Sequence, residues 1–215
     1  PLPPPGEGGG GMSLEGKALS FGYRRKDRAV LDRVNLILKP GERLGLTAPS
    51  GRGKTTLCKL LAGYEKPDGG EVLLDGRPLA HGRGYCPVQM IWQHPETVVD
   101  PLMKLGDTLA EGWPVEQRVL DGLHIEPGWL ERYPTELSGG ELQRFCIARA
   151  LGPATRFLLC DEISTMLDLI TQAQIWNFLL EEAARRELGL LIVSHTPALL
   201  ERLCTRTQPL DPSPV

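Results

Sequence analysis

The residues Ala48-Pro49-Ser50-Gly51-Arg52-Gly53-Lys54-Thr55 stand between a β-prone run and a stretch of helical spacing. In that setting Gly51 and Gly53 let backbone N–H groups curl around phosphate oxygens, and the N-terminus of the following helix adds the positive end of its dipole. Lys54 would neutralise the outer phosphates and Thr55 would ligate Mg²⁺, with Ser50, Arg52 and Thr56 completing the loop. The pattern G-x-x-x-x-G-K-[ST] is met except at its first glycine, which is Ala48. A methyl group is tolerable there if the backbone angles are ordinary, and the glycines nearest phosphate are intact.

A second group is Phe157-Leu158-Leu159-Cys160-Asp161-Glu162. An apolar strand buried on both faces would deliver two carboxylates to the sheet edge where open α/β folds bind ligands. Asp161 is then placed to hold Mg²⁺, and Glu162 to orient and polarise an attacking water. A third group is Leu137-Ser138-Gly139-Gly140-Glu141. Ser138 followed three residues later by Glu141 is a capping box, and Gly139 and Gly140 allow close backbone approach, so this helix start is an anion site.

The elements that must carry these groups are legible in outline. Short β-prone runs at Ala18 to Tyr23, Val34 to Lys39 and Arg43 to Thr47 come first, broken by turn residues such as Pro40-Gly41. A helix is expected from Lys54 to Ala62, ended by Gly63. Further strands are expected at Glu71 to Leu74, Tyr85 to Trp92, Arg156 to Cys160 and Gly189 to Ser194, with a helix from Glu141 to Leu151. Between about Pro101 and Leu130 the apolar pattern turns helical, punctuated by Pro and Gly, which marks a helical insert.

The 215 residues suit one domain, with no second full module. A net charge of -3 gives no reason to expect a nucleic-acid partner. The five cysteines lack any C-x-x-C pair and read as reduced, packed thiols. No apolar stretch approaches the ~18–20 residues needed to cross a bilayer. Residues 1–12, rich in Pro and Gly, are expected to be a disordered segment or an expression scar, with Met12 as a natural start. Residues 208–215 are expected to be a tail.

The order of these groups resembles the ABC ATPase family, whose signature is LSGGQ; here Leu137 to Glu141 reads LSGGE. The resemblance runs from about Leu14 to Arg206 and implies an ABC ATPase fold. That fold is a P-loop NTPase core with an antiparallel β subdomain and an inserted α-helical subdomain, here at about 98–137 of a domain spanning 13–207. It also implies that Tyr23 stacks on adenine, that Gln93 contacts Mg²⁺ or water, and that His195 reaches the γ-phosphate. Asp168, in the D-loop position Thr165 to Asp168, would shape the contact between two cassettes near the nucleotide. Ser138, Gly139 and Gly140 would face the ATP of the opposite subunit, so hydrolysis needs a pair. Ile163, Met166 and Thr196 depart from the more usual Pro, Ala and Asp.

Arg132-Tyr133-Pro134-Thr135-Glu136, Trp92-Gln93-His94-Pro95, Asp100-Pro101 and Gln172-Ala173-Gln174-Ile175 look like the oligopeptide, dipeptide and nickel importer branch. The resemblance therefore implies an ATPase with ATP and Mg²⁺ as cofactors at the cytoplasmic face of the inner membrane. Its partners would be transmembrane permease subunits, a second ABC ATPase subunit and, indirectly, an extracytoplasmic substrate-binding protein. The cargo would be nickel, a metal chelate or a peptide. A soluble ABC ATPase uncoupled from transport, or a catalytically impaired regulatory module, are the alternatives.

Overall fold

The computed structural model describes residues 12–23, 29–49, 51–79 and 85–210. Ser50 of the glycine loop, the expected disordered segment up to residue 11, and the last five residues of the expected tail lie outside the described residues.

An antiparallel sheet is built from β1 (Leu14–Phe21), β2 (Leu31–Leu38), β4 (Gly69–Leu74) and the short β5 (Arg77–Pro78), in the order β2-β1-β4-β5. A second sheet is wholly parallel. Its strands are β3 (Arg43–Thr47), β6 (Val88–Ile91), β7 (Phe157–Asp161), β8 (Gly189–Val193) and β9 (Arg206–Pro209), in the order β6-β7-β8-β3-β9. Every residue of β7 and β8 is buried, as continuous apolar runs in a sheet covered on both faces require.

Helix α1 (Lys54–Leu61) lies between the two sheets, and Leu57, Cys58, Leu60 and Leu61 are each at most 1% exposed. They join Leu14, Leu36, Leu46, Phe157 and Leu191 in one apolar cluster, in which each large aliphatic side chain contributes roughly 1.5–3 kcal/mol against exposure. On the other face of the parallel sheet, α2 (Leu105–Ala110), α3 (Gln117–Gly122), α4 (Gly139–Ala150), α5 (Leu169–Arg186) and α6 (Pro197–Leu203) contribute to a second cluster. Fully buried Glu182 of α5 pairs with Arg118 of α3 and, at 3.0 Å, with Arg185, which ties the insert to the core.

Differences from the sequence expectations have local causes. The helical run expected over 101–130 is cut into two six-residue helices and a 3-10 turn at Pro127–Trp129, because Pro114 and Pro127 interrupt the backbone ladder. The strand expected from Tyr85 begins only at Val88, after Pro87, whose carbonyl accepts from Arg156 and Phe157 N–H. Gln208 and Pro209, expected in a tail, belong to β9, and Leu210 is buried with its N–H on the Thr47 carbonyl. All five cysteines are free thiols, three of them buried.

Candidate functional site

Four neighbouring parallel strands, β6, β7, β8 and β3, end at the same edge. Gln93 follows β6, Asp161 closes β7 with Glu162 next to it, His195 follows β8, and the glycine loop follows β3. Sheet order alone therefore gathers residues from positions 48 to 195, at the edge where strand carboxyl ends leave a crevice.

The loop backbone has the conformation its glycines permit. Gly51 and Gly53 sit at φ 73° and 83°, in the left-handed region. A Cβ on Gly53 would lie 2.8 Å from Leu31 Cδ2 and 3.1 Å from the Val30 carbonyl, so both the angle and the space demand glycine. Ala48, in contrast, is not among the described residues with positive φ, and its methyl group is compatible with the turn. Lys54 is 5% exposed, and its ammonium donates to the carbonyls of Ala48 at 2.8 Å and Pro49 at 3.1 Å. Those neutral acceptors hold the cation at the loop without cancelling its charge.

Tyr23 is half-exposed, packs edge-on against Phe21 with ring centroids 5.1 Å apart, and its hydroxyl lies 3.1 Å from Thr56 Oγ1. The ring thus stands beside the loop with its position fixed at both ends. Arg52 and Thr55 are exposed, while Thr56 is buried.

Asp161 is 2% exposed, and burial raises its carboxyl above the ordinary range, partly offset by a hydrogen bond from the Thr55 side chain. Its Oδ1 is buried without a hydrogen-bond partner. An orphaned carboxylate oxygen beside the Thr55 hydroxyl offers the oxygen ligands that a hard divalent cation takes. No group of three or more His, Cys, Asp or Glu among the described residues is arranged to hold a metal ion by itself. Mg²⁺ does not require one, because it takes one or two carboxylates together with phosphate oxygens and water.

Glu162 stands at φ 52°, an uncommon angle for a residue with a side chain, and its Oε1 lies 2.5 Å from His195 Nε2. The Glu162 side chain is 11% exposed and that of His195 41%, so the pair faces the open edge from partial cover. Gln93 is half-buried one residue beyond Trp92.

Ser138 caps α4 as the sequence suggests. Its hydroxyl accepts from Glu141 N at 3.3 Å, and the Glu141 carboxylate accepts from Ser138 N at 2.7 Å and from its hydroxyl at 2.8 Å. Those bonds, the backbone one foremost, hold the Glu141 carboxyl below its usual range. Gly139 faces open space, whereas a Cβ on Gly140 would come 3.2 Å from Leu167 Cδ2. Within its own chain the Asp168 carboxylate is engaged as the N-cap of α5, accepting from Ile170 N and Thr171 N at 3.0 Å each.

Residues missed by the motif reading lie behind the edge. Gln143, Cys146 and Arg149 of α4 contact the carbonyls of Trp92, Pro95 and Val98. Their spacing by three is visible in the sequence, but the acceptors are backbone atoms and leave no motif. Over this contact opens a cavity of about 290 Å³ lined by Tyr64, Gln89, Met90, Trp92, Val98 and Arg149, among others.

A parallel core with a glycine loop at its switch point, an antiparallel sheet over α1 and a capped helix start inserted between β6 and β7 together define a P-loop cassette. The chain belongs to the ABC transporter family: the model of that family, described as ABC transporter, matches residues 31–165. It is 35% identical over 213 residues to the nickel import ATP-binding protein NikE of Rhodospirillum rubrum, covering 91% of this chain and 77% of that one. A Brucella ovis protein named for ATP binding in peptide import is 32% identical over 91% of this chain and 67% of its own. Among solved structures, an ATP-binding subunit of an ABC transporter superposes with a TM-score of 0.79 at 26% identity, over 92% of this chain and 85% of that one. A dimeric ATP-binding cassette with ADP and Pi shares the fold at TM-score 0.79 and 23% identity, over 92% of this chain and 94% of that one. No helix among the described residues is long and apolar enough to cross a membrane.

Proposed function

We propose that this chain binds and hydrolyses ATP as the nucleotide-binding subunit of an ABC importer for nickel, a metal chelate or a peptide. The observation that carries this reading is the shared edge on which buried Lys54, the orphaned Asp161 oxygen and the Glu162–His195 pair stand together. Relatives named for nickel and peptide import support the transport class.

In this reading the loop N–H groups from Gly51 to Thr56 cradle the triphosphate, with Ser50 and Arg52 in the same loop. Lys54 exchanges two neutral carbonyls for the outer phosphates, and the exposed Tyr23 ring receives the adenine. Asp161, Thr55 and Gln93 would hold Mg²⁺, which supplies neutralisation of the phosphate charge. Glu162 orients and polarises the attacking water, and His195 reaches toward the γ-phosphate.

Ser138, Gly139 and Gly140 would seal the ATP of a second ABC ATPase subunit, identical or homologous. Exposed Met166, Leu169 and Ile170 beside Asp168 are the kind of apolar surface that such a partner covers. Transmembrane permease subunits would dock from the membrane, the chain lying peripherally on the cytoplasmic face. An extracytoplasmic substrate-binding protein would act only through that permease.

The test is isothermal titration of the full chain with MgATP, followed by ATPase assay alone and with the membrane proteins that co-purify with it. Saturable Mg²⁺-dependent binding and permease-stimulated turnover are expected. Failure to bind MgATP would remove the proposal.

A further inference from the structure

Three donors on one face of α4, each three residues on from the last, meet three carbonyls spaced in the same way. Gln143 Nε2 donates to Trp92 O at 3.1 Å, the Cys146 thiol to Pro95 O at 3.9 Å, and Arg149 Nη1 to Val98 O at 3.0 Å. A helix advances ~4.5 Å in three residues and a 3-10 turn such as Pro95–Thr97 ~6 Å. The two segments differ in rise by ~1.5 Å per step, and side chains of different length bridge the three rungs. Arg149 also pairs with Glu111 at 3.1 Å, which orients its guanidinium.

The first rung is the one that packing alone does not explain. Gln143 is 2% exposed, yet its Oε1 is buried without a partner. Turning the amide over would only set that oxygen against the Trp92 carbonyl, so the donor orientation is dictated by the acceptor. An apolar residue of the same size would fill the space and remove the unpaired Oε1, but it would take the donor away from the Trp92 carbonyl. What the amide adds is a directional tie to the residue next to Gln93, made from the helix that begins at the Ser138 tip.

We infer that Gln143, Cys146 and Arg149 are positioning residues that lace the segment 92–98, Gln93 included, to helix α4, so that this segment and the Ser138–Gly140 tip move as one body. The inference rests on the ATPase reading above and adds its coupling element. A displacement of the tip on meeting the nucleotide of a second cassette is carried to Gln93 at the far strand end. Pressure on the cavity over the lace reaches both together. The Cys146 rung is a weak S–H contact, so the first and third carry the tie.

The test is hydrogen–deuterium exchange on the full chain carrying Glu162→Gln, with and without MgATP, compared with the same chain also carrying Gln143→Leu and Arg149→Met. MgATP is expected to slow exchange at both 138–142 and 92–98 in the parent, and at 138–142 alone in the laced-out variant. Introduced without Glu162→Gln, the two substitutions should lower kcat roughly tenfold with KM for ATP within about twofold, a split that a merely structural loss would not give. Equal protection of 92–98 in both proteins would overturn the lace and leave the ATPase reading standing. Absence of protection at 138–142 in the parent would overturn that reading and the lace with it.

Discussion

His195 Nε2 and Glu162 Oε1 meet at 2.5 Å because β7 and β8 run side by side in parallel, with Asp161 directly opposite Val193. The Glu162 backbone N–H also donates to the Val193 carbonyl, which fixes the glutamate as the sheet ends. The histidine holds the carboxylate from the side remote from β6.

Replacing Glu162 with Gln keeps the shape and removes the negative charge that would polarise a water. Turnover is expected to fall by roughly 10²–10⁴-fold, with MgATP binding retained and ATP-dependent pairing of cassettes strengthened. Steady-state ATPase and sedimentation velocity read the two effects. Turnover unchanged from the parent would take Glu162 out of its assigned role.

Lys54 tests the loop. Its ammonium is 5% exposed and held by the Ala48 and Pro49 carbonyls. Lys54→Ala should abolish MgATP binding by calorimetry, while Lys54→Met, which keeps the stem, should fold with a near-native Tm and still fail to bind. Tight binding by either variant argues against the loop as the phosphate cradle.

The motifs were legible because they depend on local chemistry. Glycines at positive φ, a Ser-x-x-Glu cap and an apolar strand ending in carboxylates each leave a pattern within eight residues. Sheet order was not legible, since nothing local in Val88–Ile91 or Gly189–Val193 states which strand lies beside which. Three features escaped the sequence. Side-chain bonds to distant carbonyls, as from Gln143 and Arg149, leave no pattern. The N-cap role of Asp168 is overshadowed by its motif position. The joining of β9 to β3 depends on a buried Leu210 at the far end of the chain.

The two sheets are also joined by charge. Arg156, at the start of β7, holds Asp75 in the turn after β4 through two bonds of 2.6 and 2.9 Å. The Arg156 hydrogen bond, foremost, keeps the Asp75 carboxyl below its usual range. A depressed carboxylate stabilises the fold above its unfolded pKa, and that stability is lost as pH falls through the lower folded value. With both partners about a third exposed, solvent screening limits the pair to about 1 kcal/mol. Asp75→Asn should therefore lower Tm by roughly 2–4 °C at neutral pH, with the gap closing toward acid pH. A gap that does not change with pH would mean that the ionised carboxylate contributes nothing.

Glu141 separates capping from charge at the α4 tip. Its carboxylate takes both the Ser138 N–H and the Ser138 hydroxyl, so an anion already stands where the proposed function requires a phosphate to arrive. Ser138→Ala should cost about 1 kcal/mol of stability as an N-cap loss and weaken ATP-dependent pairing. Glu141→Gln keeps the acceptors and gives up only the favourable charge at the helix start, roughly 0.3 kcal/mol at so exposed a site. With the like charge gone, pairing of Glu162→Gln cassettes at limiting ATP should tighten. Sedimentation of the two double variants against the Glu162→Gln parent decides the matter: weaker pairing with Glu141→Gln would show that the carboxylate orders the tip rather than opposing the phosphate.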